Sequence, residues 1–70
     1  MFNAAVQTIA RNPQKHFTEA ERGVMRSFLS KWNATYGSSM AQQTGALRAQ
    51  FELTNRKAAA VVLAWNLYLL

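Results

Sequence analysis

Asn55-Arg56-Lys57-Ala58-Ala59-Ala60-Val61-Val62-Leu63-Ala64-Trp65-Asn66-Leu67-Tyr68-Leu69-Leu70 decides the architecture. The sixteen residues read as one helix that is apolar on almost every side after Lys57. Such a helix has no polar face to offer water, so it must be wrapped, paired or inserted. Ala60 and Ala64, with Lys57 and Tyr68 beside them, form a narrow face that permits close helix approach. Val61, Val62, Trp65 and Leu69 form a bulky face, and Leu63, Leu67 and Leu70 a third. The apolar run from Ala58 to Leu70 is shorter than the about 20 residues a membrane-spanning helix needs, so membrane insertion is not expected.

A chain of 70 residues makes a single small helical domain, 1–70, and buries only about 60% of its unfolded surface. Domains of this size usually need a staple. There is no cysteine, which removes disulfides and thiolate metal sites and fits a cytoplasmic protein. His16 stands alone beside three acidic residues, Glu19, Glu21 and Glu52, so no metal site and no cofactor are expected. Packing and self-association remain as sources of stability. Covering three apolar faces is hard for a monomer of this length, so a homodimer is expected, with Ala60, Ala64, Trp65 and Tyr68 as the partner interface.

Outward from the C-terminal stretch, every segment reads as helix. Phe2, Val6, Ile9 and Ala10 recur at helical spacing, and Asn12-Pro13 stops that segment. Thr18-Glu19-Ala20-Glu21 matches a capping box and opens a second helix. Its apolar stripe is Ala20, Val24, Met25, Phe28, Leu29, Trp32 and Tyr36, and Gly37 ends it. Ser38-Ser39 offers a new cap. Gly45 either interrupts the helix begun there or is tolerated inside it at about 1 kcal/mol. Thr54 can cap the last helix. From residue 39 onward the chain is either one long rod or, the preferred reading, two helices with a turn near Leu53-Thr54. The fold class is therefore all-α, a compact bundle of three to four short helices with the apolar C-terminal helix at its centre.

Catalytic chemistry is not expected. A nucleophile needs a base held by a third group, and His16 has no aspartate to orient it. Glu19 and Glu21 are explained by the helix start, and Gly23, Gly37 and Gly45 are too isolated for a phosphate loop.

The formal charge of +5 favours nucleic acid or an acidic protein surface as partner. From Leu47 to Val62 the residue order resembles the second and third helices of a helix-turn-helix. Leu47 and Phe51 match core positions of the first helix, Leu53 the turn anchor, Thr54 the cap, and Ala58 and Val61 inward positions of the recognition helix. Glu52 stands where the turn glycine is usual, and Arg48 where a small residue is usual. The resemblance places Asn55, Arg56 and Lys57 where base edges and phosphates are met, with Arg22, Arg26 and Arg48 on the flanking backbone. Two cations in the first turn of a helix oppose its dipole, which hints at a use outside the fold. Phe28, Trp32 and Tyr36 share the apolar stripe and read as core, and so count against single-strand stacking. Trp32 and Trp65, taken singly, read as core packing against each other.

Two functions are expected on these grounds. One is a small basic regulatory protein that contacts nucleic acid through Arg22, Arg26, Arg48, Asn55, Arg56 and Lys57. The alternative resembles, in size and style, the small inhibitors of phages and mobile elements that bind a host protein through a helical surface.

Overall fold

The computed structural model describes residues 2–70. Four helices follow one another: α1 (Ala4–Arg11), α2 (Glu19–Tyr36), α3 (Met40–Phe51) and α4 (Asn55–Asn66). A one-turn 3-10 helix, Pro13–Lys15, links α1 to α2. Each α-helix begins on a side chain that accepts a backbone N–H otherwise left without a partner. Asn3 accepts from Val6, Thr18 from Glu21, Ser39 from Gln42 and Thr54 from Lys57. Thr18 and Ser39 complete reciprocal capping boxes, with Glu21 and Gln42 reaching back. Gly45 lies inside α3, not at a break.

Residues 39–70 are two helices. The chain leaves α3 through Glu52 in the left-handed region at φ 54°, the backbone state in which glycine is usual. Glutamate adopts it here because Leu53 must turn inward before Thr54 can cap α4. Leu53 packs against the core.

α4 is the wall between two apolar clusters. Ala58, Val61 and Val62 meet Phe17, Met25, Leu29 and Leu47 on one side. Ala59, Ala60 and Ala64 meet Val6 and Ala10 of α1 on the other. α1 therefore occupies the narrow alanine face that the residue pattern had offered to a partner. Ala60 and Ala64 are buried within one chain, against α1.

The last four residues depart from the expected helix. α4 stops at Asn66, Tyr68 takes a left-handed φ of 59°, and the chain doubles back. Tyr68 N–H donates to the Trp65 carbonyl at 3.2 Å and Leu69 N–H to the Ala64 carbonyl at 2.8 Å, the paired bonds of a Schellman ending. The reversal lets Leu70 pack against both clusters, and it leaves Leu67, Tyr68 and Leu69 exposed.

The stripe on α2 also differs from expectation. Only Met25 and Leu29 of it are buried. Phe28 and Trp32 are half-buried, and Val24 and Tyr36 are 56% and 65% exposed. Apolar residues four apart drift steadily round a helix of 3.6 residues per turn, so a ridge this long cannot stay on one core-facing line. The two tryptophans do not pair as rings: Trp32 lies between Phe28 and Tyr36, with centroids at 6.0 Å and 4.3 Å. Among the described residues, no helix is long and apolar enough to cross a membrane.

Candidate functional site

The cations expected to act together fall into two groups. Arg56 and Lys57 are exposed on the first turn of α4, with Asn55 beside them. Arg48 lies one turn before the bend and lines a shallow depression with Glu52 and Leu53. Arg22 belongs to the same end, because its Nε donates to the Phe17 carbonyl at 3.4 Å and Phe17 shares a cavity with Leu53. Arg26 does not belong. It donates to the Leu70 carbonyl at 2.6 Å, beside Trp65, Asn66 and Tyr68 at the far end of α4. The contacts of Arg26 lie about 18 Å from Arg56 and Lys57 along α4, whereas Arg22 and Arg26 themselves stand one turn, about 6 Å, apart on α2.

Two further cations join the first group. The turn at Pro13–Lys15 packs on α4, and the nearby Phe17 meets Ala58 and Val61. Arg11 and Lys15 thus lie at the end of the molecule where Arg56 and Lys57 begin α4. All four are exposed, and none makes a side-chain hydrogen bond or ion pair among the described residues. The signal for Arg11 and Lys15 is visible in the chain only as a basic residue on each side of Asn12-Pro13. Nothing local brings that linker to α4.

The three carboxylates belong to α2 and to the bend before α4. Glu19 and Glu21 belong to the first turn of α2, and Glu52 to the bend. Glu21 is occupied by the Thr18 N–H at 2.8 Å. α1, the turn after it and α4 contain no acidic residue, and Glu52, at the bend that leads into α4, is the carboxylate nearest to Arg56 in the chain.

The α3–α4 bend is narrower than an open helix-turn-helix. Asn66 Nδ2 donates to Gln43 Oε1 at 3.1 Å. At about 1.5 Å per residue, Gln43 and Asn66 lie about 12 Å and about 17 Å from the bend, and arms at a right angle would hold them roughly 20 Å apart. Two side chains do not span that, so the helices close toward a hairpin. Beyond Lys57, α4 is buried at Ala58 through Val62 and at Ala64. Its first turn is the part that can meet a groove.

No protein-family model, curated protein or solved structure matches this chain.

Proposed function

We propose that this protein is a small non-catalytic regulatory protein that binds nucleic acid through the backbone phosphates. The contact is the basic face of Arg11, Lys15, Arg56 and Lys57, with Arg48 beside it and Asn55 able to reach a base edge. One observation carries the reading: four exposed cations from α1, the turn after it and α4, three segments that contain no acidic residue, share an end of the molecule without side-chain hydrogen bonds or ion pairs among the described residues. Cations so placed release counterions when phosphates approach, which makes affinity steeply salt-dependent.

The test is a titration of a labelled mixed-sequence duplex over a range of salt. Removing one cation that neutralises a phosphate should flatten the log–log slope by about 0.9. Arg56→Gln with Lys57→Gln, and separately Arg11→Gln with Lys15→Gln, should each flatten it by about 2. A slope indifferent to both pairs removes the reading.

A second reading, a small inhibitor of the phage or mobile-element type acting on a host protein, is favoured by a different observation. Leu67, Tyr68 and Leu69 are 50%, 96% and 46% exposed at the reversal after α4. Aromatic residues so presented are the usual anchors of an interface. In this reading Trp65 and Tyr68 contact the partner, and Ala60 and Ala64 do not.

A further inference from the structure

We infer that the face of α2 formed by Phe28, Trp32 and Tyr36 is a stacking site for the bases of single-stranded nucleic acid. The inference rests on the nucleic-acid reading above and names the strand form it favours.

These rings form a ladder that runs from half-buried Phe28 and Trp32 to exposed Tyr36. Trp32 and Tyr36 are tilted at 45° with centroids 4.3 Å apart, and Phe28 and Trp32 are stacked at 26° and 6.0 Å. Phe51 of α3 closes the base of the ladder, edge-on to Phe28 at 5.6 Å. The rings are thus held by one another and by the bundle, while Tyr36 keeps two thirds of its surface in water. A cavity of about 440 Å³ opens here, lined by Phe28, Lys31, Trp32, Thr35, Tyr36 and Gln50. That is within the roughly 300–1,000 Å³ of small-ligand sites.

The lining chooses the occupant. Its one charged group is Lys31, a cation, and no carboxylate lines it. A flat ring attached to an anion fits that chemistry: the base stacks on the exposed Tyr36 ring and the phosphate meets Lys31. Gln50 is exposed and has no hydrogen-bond partner among the described residues, so its amide can both donate to and accept from a base edge. Bases inside a duplex cannot present their faces to a protein surface, so the site selects single strands. A bare apolar peptide would satisfy the rings but leave Lys31 without a counter-charge.

The experiment compares a labelled twelve-nucleotide oligothymidylate with a hairpin duplex, at matched salt, on the parent chain, Tyr36→Ala, Tyr36→Phe and Lys31→Gln. Tyr36 is exposed, so its variants keep the fold, which circular dichroism checks. The expected result is a loss of roughly tenfold in single-strand affinity for Tyr36→Ala, recovery in Tyr36→Phe and unchanged duplex binding. Lys31→Gln should flatten the single-strand salt slope by about 0.7. If both probes bind and Tyr36→Ala changes neither, the stacking site is overturned while the basic face stands. If neither probe binds at low salt, both fall. If the protein sediments as a dimer that Tyr36→Ala splits into monomers, the face belongs to a second copy and the stacking site is overturned.

Discussion

Gln43 is joined to Asn66 across 23 positions of sequence, and its amide ties three helices together at one point. Its oxygen accepts from Asn66 of α4 at 3.1 Å, while its nitrogen donates to Asn33 Oδ1 of α2 at 3.2 Å and to the Ser38 carbonyl at 3.1 Å. Gln43 is 3% exposed, so water cannot replace these partners. A buried amide with both donors and its acceptor engaged specifies a single arrangement of the helices around it.

Gln43→Leu should therefore destabilise the protein by about 2 kcal/mol, the penalty of stranding polar partners in a buried place. Gln43→Glu should be at least as harmful at neutral pH, because a carboxylate sets oxygen against the oxygens of Asn33 and Ser38. Chemical denaturation of the two variants checks this. A Leu variant as stable as the parent would show that the tie contributes nothing.

The glycines divide by backbone state. A Cβ at Gly45 meets nothing within 4 Å and the position is mid-helix, so Gly45→Ala should raise stability by about 1 kcal/mol. Gly37 caps α2 at φ 55°, so Gly37→Ala should lower it by about 1 kcal/mol. Thermal melts of the two variants should shift in opposite directions, and shifts in the same direction would contradict the assignment of α3 as continuous through Gly45.

Glu52 and Tyr68 hold the left-handed state without being glycine. Glu52→Gly and Tyr68→Gly should each stabilise by about 0.5–1 kcal/mol, relief of strain exceeding the added freedom of the unfolded chain. Tyr68→Gly further separates fold from function. If the exposed end of α4 anchors a protein partner, this variant fails to bind it while gaining stability.

Ala60→Leu tests where the alanine face is spent. Ala60 is 1% exposed against α1, so the larger side chain should lower stability by about 2 kcal/mol as α1 is pushed away. Were the face free for a second copy, the isolated chain would melt unchanged. Denaturation at low protein concentration distinguishes the two.

Arg26→Gln should leave the salt slope of duplex binding unaltered, since its guanidinium is engaged by the Leu70 carbonyl beside Trp65, Asn66 and Tyr68. A flattening equal to that from Arg56→Gln would mean that nucleic acid wraps the length of the molecule.

Helix type and helix starts were legible in the chain because both are local. Thr18-x-x-Glu21, Ser39 and Thr54 each satisfy N–H groups within three residues, and the periodicity of Val6, Met25, Leu29 and Leu47 marks positions that do become core. The all-round apolarity after Lys57 required a central helix, and α4 is central. Helix ends were less legible where no glycine announced them, as at Glu52 and Tyr68. There the left-handed turn is imposed by the packing of Leu53 and Leu70 onto clusters built from distant segments.

The candidate site divides the same way. The order of residues alone required a chain that is helical, basic and too apolar at its C-terminal end to leave α4 uncovered. It marked Arg56 and Lys57 as cations opposing a helix dipole. Three-dimensional packing was needed to put α1 on the Ala60–Ala64 face, and to bring Arg11 and Lys15 to Arg56 and Lys57 while Arg26 stands apart. Packing alone left Tyr36 exposed and Phe28 and Trp32 half-buried. Periodicity reports which side of a helix is apolar, whereas the neighbour that covers that side is chosen by long-range contacts.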